Sequence, residues 1–205
     1  MAASQQHGHD FDNEVKAIYK VNGIGYTDVH DIPPEFNNGV PASVKSSVGN
    51  TCDCGDATRM YDNTCLPCYQ MIRGRYQQVG DKKHLKEVTH VDLSNTKKLM
   101  WGDLTKDDVK RLSDLTKTYR PGREDIRKSV HQLKAELNKK SGLMKFRPKM
   151  DSKQARLQVS IPKWDEFIKT NPSRVIEHST TGKLKGEQLT QVRDSPKRTR
   201  KTKQN

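Results

Sequence analysis

The segment from Val40 to Lys45 alternates apolar and polar residues, and this alternation restricts how the chain can fold. Successive side chains of a β-strand point to opposite faces, so a strand here buries one set of residues and displays the other. The buried set is Val40, Ala42 and Val44. The opposite face then carries Ser43 and Lys45. The segment therefore predicts a sheet strand that presents a lysine beside a serine on one face.

Helix and strand patterns elsewhere predict a mixed fold. Apolar residues at helical spacing predict a helix over 10–22, capped by Asp10 or Asp12 and ended by Gly23. A capping-box pattern that starts at Thr105 predicts a second helix. Further elements are expected as a helix over 124–140 and strands over 69–78, 85–93 and 155–161. The expected fold class is α/β (α+β), a central mixed β-sheet flanked by helices.

The charge of the chain favours a polyanionic partner. It has 205 residues with 38 Lys and Arg against 25 Asp and Glu, which gives a net charge of +13. Each phosphate that such a protein neutralises releases counterions, so nucleic acid is the leading expectation. The length suits one modest domain, expected over 1–175. Because apolar residues become rare and basic ones dominate toward the end, a basic, flexible tail is expected over 176–205.

Four cysteines are clustered in a chain that shows no export signal. No apolar stretch reaches the length of a membrane span and residues 1–10 lack the apolar core of a signal peptide, so a cytoplasmic (intracellular) protein without a membrane partner is expected. Disulfides are then disfavoured. The spacing CxC…CxxC predicts a structural zinc site, with buried reduced thiols or a redox pair as the alternatives. The four cysteines are Cys52, Cys54, Cys65 and Cys68.

Acidic residues around the Lys45 strand suggest a metal-dependent active site. Carboxylates that hold Mg²⁺ can activate water for phosphodiester hydrolysis, and a neighbouring lysine can offset the charge that develops. Asp28 or Asp31 would hold the metal, and Glu14 would add a carboxylate from the first helix. The alternative is that these aspartates are surface acids beside a turn and that Lys45 is an ordinary exposed lysine.

These residues resemble a known family. Glu14 on an opening helix, the hairpin 28–32 and the strand 42–46 resemble the PD-(D/E)XK nuclease superfamily, and within it the small type II restriction endonucleases. Segments 55–59, 71–78 and 148–158 are similar as well, so the likeness covers roughly residues 10–165. Ser43 stands where the acid two residues before the lysine is usual. In restriction enzymes with Ser-x-Lys a carboxylate comes from elsewhere, here Glu14 or Asp56.

The resemblance implies a restriction-endonuclease-like fold with a small cysteine-rich zinc-binding insertion over 52–68. It also implies a catalytic Mg²⁺, site-specific hydrolysis of double-stranded DNA to 5′-phosphate ends, and a homodimer that cuts both strands. No small-molecule substrate is expected. No proline precedes either hairpin aspartate, so Asp28 and Asp31 both stay candidates for the metal.

Lys153, Arg156 and Gln158 are predicted to contact DNA, because arginine and glutamine read base edges. An ordinary solvated strand face is the alternative for these three residues. A competing function is a noncatalytic zinc-ribbon nucleic-acid-binding protein, such as a transcription regulator or a ribosome-associated protein. It predicts binding that is lost on zinc removal and unaffected by loss of the aspartates. The nearest enzymatic rival is a nuclease for repair junctions or RNA.

Overall fold

The computed structural model describes residues 3–21 and 30–194, with side chains from residue 8 onward. The protein has a mixed α+β fold in which sheets are flanked by helices, as predicted. The helices are α1 (Ala3–Ile18), α2 (Ala57–Cys65), α3 (Lys97–Trp101), α4 (Lys106–Lys117), α5 (Glu124–Lys140) and α6 (Trp164–Thr170). The strands are β1 (Ala42–Val48), β2 (Cys52–Asp56), β3 (Gln70–Val79), β4 (Lys82–Asp92), β5 (Lys145–Met150), β6 (Ala155–Ile161), β7 (Val175–Ser179), β8 (Lys183–Leu184), β9 (Glu187–Gln188) and β10 (Val192–Asp194).

The chain forms two compact units. Unit 1 is built from segments within 1–49, 72–90 and 175–205, and unit 2 from 50–71 and 91–174. This division differs from the predicted single domain over 1–175, because residues beyond 175 return to unit 1. No helix among the described residues is long and apolar enough to cross a membrane.

Unit 1 holds most of a five-stranded sheet. The strand order is β1-β3-β4-β10, and β7 also pairs with β4. Helix α1 packs against β1. The helix contributes Phe11, Val15 and Tyr19 to a core that also contains Ile32, Ala42, Val44, Ile72, Tyr76, Leu85, Val88, Leu184 and Leu189. The apolar stripe of α1 is therefore buried, as the helical spacing predicted.

A glycine brings α1 close to the sheet. A side-chain carbon added at Gly74 on β3 would lie 2.7 Å from the ring of Phe11, which is closer than carbon atoms can approach. The same ring meets the edge of Tyr76 with centroids 6.0 Å apart. Gly74 therefore sets the spacing between helix and strand, and with it the position of the residue that follows Phe11.

The ends of α1 differ from the prediction. The helix already begins at Ala3, so Asp10 and Asp12 lie inside it and do not cap it. It ends at Ile18, and Lys20 then adopts a left-handed φ of 58°. Gly23, the predicted end, lies outside the described residues.

Residues after 175 are not a flexible tail as far as residue 194. They form β7, β8, β9 and β10, and β10 pairs antiparallel with β4, with Val192 opposite His84. Arg193 is only 8% exposed. The basic side chain has a specific buried place, which composition could not indicate. Residues 195–205 lie outside the described part of the chain.

Unit 2 combines a three-stranded sheet with helices. The strand order is β2-β6-β5, and β6 buries Leu157, Val159 and Ile161 as its alternation predicted. The capping box of α4 is confirmed: the Asp108 N–H donates to the Thr105 hydroxyl at 3.2 Å, and the Thr105 N–H donates to the Asp108 carboxylate at 2.9 Å. Both α5 and β6 have the predicted bounds.

Backbones approach closely where α3 and α5 end. The N–H of Asp103 donates to the carbonyl of Lys140 at 3.3 Å. Gly102 has a φ of +60°, and a side-chain carbon there would lie 2.3 Å from the same carbonyl oxygen. This junction requires glycine.

Candidate functional site

Asp31 and Lys45 are held together beside the first strand of unit 1. Ile32 exchanges two backbone hydrogen bonds with Ala42, at 3.0 and 2.9 Å, which fixes Asp31 next to the start of β1. The Asp31 carboxylate accepts hydrogen bonds from the Val44 N–H at 2.7 Å and from the Lys45 ammonium at 3.0 Å. Two residues that the sequence assigned to one site are therefore in direct contact.

The Lys45 ammonium lies between two oxygen atoms. It donates to Asp31 Oδ2 and also to the carbonyl of Val44 at 2.9 Å. The side chains of Lys45 and Asp31 are 15% and 23% exposed. Burial opposes ionisation of Asp31, but the charge of Lys45 and the bond from Val44 outweigh it and lower the pKa of Asp31. Asp31 is therefore a carboxylate at neutral pH.

Asp12 is a further acid of this site. It is 9% exposed, and its Oδ2 lies 2.8 Å from the ammonium of Lys16. Burial is the main cause that raises the pKa of Asp12, and the charge of Asp31 adds to it, whereas Lys16 and Lys45 oppose it. The four residues thus share one electrostatic environment, and we call them the carboxylate–lysine cluster: Asp12, Lys16, Asp31 and Lys45.

One oxygen of Asp12 lacks a bond. Oδ1 is buried and has no hydrogen-bond partner within the described residues. A buried acceptor without a donor is costly, and a catalytic role, a bound water or a bound ion can account for it. The i,i+4 spacing of Asp12 and Lys16 is a signal in the sequence for this residue.

Glu14, the predicted helix acid, is bound by residues close to β10. Its carboxylate accepts bonds from the Arg193 guanidinium at 2.6 Å, from the Thr190 N–H at 3.1 Å and from the Thr190 hydroxyl. Burial opposes ionisation, but these bonds outweigh it and lower the pKa of Glu14. Glu14 anchors the segment that leads into β10, and the acid that α1 contributes to the cluster is Asp12.

The other predicted catalytic residues lie in varied places. Ser43 is buried on β1 between two buried neighbours, so this strand is covered on both faces at its start. Asp28 lies outside the described residues. Asp56 belongs to unit 2, where its carboxylate accepts the Arg59 N–H at 2.9 Å and caps α2. The contact that the structure gives Asp56 is therefore a helix cap.

The four cysteines are not assembled into one group. Cys52 and Cys54 share one face of β2 and are buried, and the Cys52 sulfur lies 3.7 Å from that of Met71. Cys65 ends α2 and is exposed, and Cys68 is half-buried. Within the described ranges, no three or more His, Cys, Asp or Glu side chains form a group that could hold a metal. The geometry gives the zinc prediction no support.

The predicted DNA contacts belong to unit 2. Arg156 and Gln158 lie on one face of β6, with Arg156 exposed and Gln158 half-buried. Lys153 is exposed in the loop between β5 and β6. Because Leu157 points to the core, these polar side chains occupy the opposite face of the strand.

Comparison of the chain with protein-family models, with curated proteins and with solved structures finds no match. The function is therefore inferred from the residues themselves.

Proposed function

We propose that the carboxylate–lysine cluster is the active site of a magnesium-dependent endonuclease that hydrolyses double-stranded DNA. The observation that carries this proposal is the environment of Lys45. Its ammonium is bound by a carboxylate and a backbone carbonyl, at 3.0 and 2.9 Å, and a second buried carboxylate shares the same electrostatic environment. Oxygen ligands around a cation are the donor set that Mg²⁺ prefers.

Carboxylates such as those of the cluster are the kind of group that binds a magnesium ion. Mg²⁺ is usually held by one or two carboxylates together with water and substrate phosphate, so two acids suffice. Asp31 and Asp12 would hold it, and the unpartnered Oδ1 of Asp12 would then be a ligand of the ion. When bound, the ion supplies a more acidic water and a polarised phosphate oxygen.

The protein's own side chains have separate roles. The Lys45 ammonium donates to the phosphate oxygen on which negative charge increases, as in other electrostatically assisted displacements. Asp31 keeps that ammonium in position through its 3.0 Å bond. Asp12 adds a second carboxylate and Lys16 a second ammonium group, so the cluster contains two of each.

Charge and resemblance support the choice of DNA. The net charge of +13 favours a polyanion, and the arrangement of an acid, a Ser-x-Lys strand and an acid-bearing helix is similar to that of type II restriction endonucleases. We therefore extend the proposal to a restriction-endonuclease-like unit 1, site-specific cleavage to 5′-phosphate ends and a homodimer, because a duplex offers two equivalent strands.

A cleavage assay tests the proposal. Long mixed-sequence duplex DNA is incubated with the protein, with and without Mg²⁺, and the fragments are resolved on a gel. We expect discrete magnesium-dependent bands from the wild type and a rate about 100-fold lower or more for Lys45→Ala. Lys86→Ala, which removes an exposed lysine of the same unit, is the matched control and should cut normally.

Two results would overturn the proposal. One is normal magnesium-dependent cleavage by Lys45→Ala, and the other is DNA binding by the wild type without cleavage under every condition. Light scattering in the presence of DNA tests the homodimer separately, since a monomer would add to the mass of the duplex only half the protein mass that a dimer adds.

A further inference from the structure

Strands β5 and β6 are neighbours in the three-stranded sheet β2-β6-β5. Strand β2 pairs only with residues 158–161 of β6, so the far end of β5 and β6, over 148–150 and 155–157, is a two-stranded antiparallel ribbon with a charged outer face. In the register of the two strands Arg147 lies opposite Gln158, and Lys149 lies opposite Arg156. Phe146 and Leu157, which alternate with these residues, are buried. The polar side chains therefore share the outward face. We call this surface the basic ribbon, and it comprises Arg147, Lys149, Lys153, Arg156 and Gln158.

The basic ribbon carries a repulsive pair. Like charges directly opposite each other on antiparallel strands are destabilising, and Lys149 faces Arg156 in this way. In the described part of the chain neither side chain has an acidic partner, whereas Arg147 is paired with Asp53. The protein thus keeps two adjacent cations that do not stabilise its own fold.

The loop that joins the two strands adds a third cation. Asp151 is the carboxylate of this loop, but its Oδ1 accepts the N–H groups of Lys153 and Gln154 at 2.8 and 3.0 Å. It is therefore engaged in shaping the turn, and the exposed Lys153 side chain projects from the same end of the ribbon. Three cations are concentrated at this end.

Other kinds of partner fit this surface less well. The outer strand β5 contains Pro148, which has no N–H to donate, so the edge is unsuited to pairing with another strand. The large apolar side chains that are exposed in the described residues lie outside the ribbon, so it is not an apolar docking face. A polyanion matches the charge, and the two-stranded far end of β5 and β6 has the width that the major groove of DNA admits.

We propose that the basic ribbon of unit 2 enters the major groove of duplex DNA. Lys149, Lys153 and Arg156 contact phosphates, and Gln158 faces a base edge. The inference rests on the proposed function only in taking duplex DNA as the polyanion. It assigns substrate binding to a surface that is separate in the chain from the carboxylate–lysine cluster.

Binding is measured in EDTA, where no cleavage takes place, by fluorescence anisotropy with a labelled mixed-sequence duplex over a range of salt concentrations. The double variant Lys149→Gln/Arg156→Gln should bind about tenfold more weakly and lower the salt slope by about two. The control variant Lys128→Gln/Lys139→Gln removes the same charge from exposed positions of α5 in the same unit and should bind like the wild type.

A thermal melt of the free proteins distinguishes a binding role from a structural one. Loss of the repulsive pair should leave the double variant at least as stable as the wild type, although it binds DNA less well. Equal binding by wild type and double variant, equal weakening by the control variant, or better competition by single-stranded RNA than by duplex DNA would each overturn the inference. Tight binding without cleavage on adding Mg²⁺ would instead reject the proposed function and leave the ribbon in place.

Discussion

Asp12 and Glu14 lie two residues apart on α1, yet their substitution should have opposite consequences. Burial raises the pKa of Asp12, so ionisation of this carboxyl group is less favourable in the folded protein than in the unfolded chain. Asparagine has the same shape as aspartate but no charge, so the substitution removes the cost of burying a charged carboxylate, whereas the i,i+4 pair with Lys16 that is lost contributes only about 0.5 kcal/mol. Asp12→Asn should therefore stabilise the protein by about 1 kcal/mol and lower the rate of DNA cleavage by about 100-fold or more.

Glu14→Gln should act in the reverse direction. The substitution leaves Arg193, which is 8% exposed, without its carboxylate. Hydrogen bonds to charged groups contribute about 1.5–3 kcal/mol, and the partial exposure of Glu14 reduces this, so a loss of about 1–2 kcal/mol is expected. Cleavage at a temperature where the variant is folded should be normal, since Glu14 holds β10.

Both variants are measured in the same two assays. Urea denaturation followed by circular dichroism gives the change in the free energy of unfolding, and the magnesium-dependent gel assay gives the cleavage rate. Cleavage that is lost in Glu14→Gln and kept in Asp12→Asn would refute the assignment of Asp12 to the site. A destabilised Asp12→Asn would refute the inference that the buried charge of Asp12 costs stability.

Three further predictions concern stability and metal content. Asp31→Asn should cost about 2 kcal/mol at neutral pH because it removes the carboxylate that the Lys45 ammonium contacts at 3.0 Å. The pKa of Asp31 is lowered in the folded state, so the free energy of unfolding of the variant should differ fully from that of the wild type above about pH 5. This difference should shrink as the pH falls through the pKa of the folded state. Urea denaturation at a series of pH values measures it, and a difference that grows in acid would contradict the prediction. Gly102→Ala should cost more than about 2 kcal/mol, because its side-chain carbon would meet the Lys140 carbonyl at 2.3 Å, whereas Gly80→Ala, with nothing within 4 Å, should cost less. The four-cysteine zinc site stays a prediction that elemental analysis tests: one zinc per chain and a lower melting temperature on chelation are its expected results, and a metal-free chain that melts unchanged would reject it.

Elements with local signals could be predicted from the sequence. The bounds of α5 and β6 and the capping box of α4 follow from the spacing of apolar residues and from the Thr105 and Asp108 pair, all within a few positions of one another. The contact between Asp31 and Lys45 could also be predicted, because the two residues are only 14 positions apart in the chain. These features depend on neighbours that are close in the chain.

The choice between the two acids of α1 could not be made in this way. A helix turns by about 100° per residue, so Asp12 and Glu14 flank the stripe of Phe11 and Val15 on opposite sides. Which flank faces Lys45 depends on how the helix is rotated on the sheet. That rotation is set by contacts such as the one between Phe11 and Gly74, which lies 63 positions later in the sequence.

The prediction of a flexible tail after residue 175 was wrong for a similar reason. Basic composition predicted a flexible tail, but Arg193 is bound by Glu14 and by the Tyr76 hydroxyl at 3.0 Å. Single long-range partners of this kind leave no periodic signal. Composition therefore gave the wrong structure for β7 and β10.

The order in which the two units can be completed during synthesis is the reverse of their order in the chain. Domains generally fold as they leave the ribosome, those made first folding first. Unit 2 has all its residues once position 174 has emerged, whereas unit 1 still lacks β7 and β10 and the Arg193 partner of Glu14. The unit that contains Asp31 and Lys45 is therefore the last to be finished, so a nascent chain cannot complete its sheet until translation has passed residue 194.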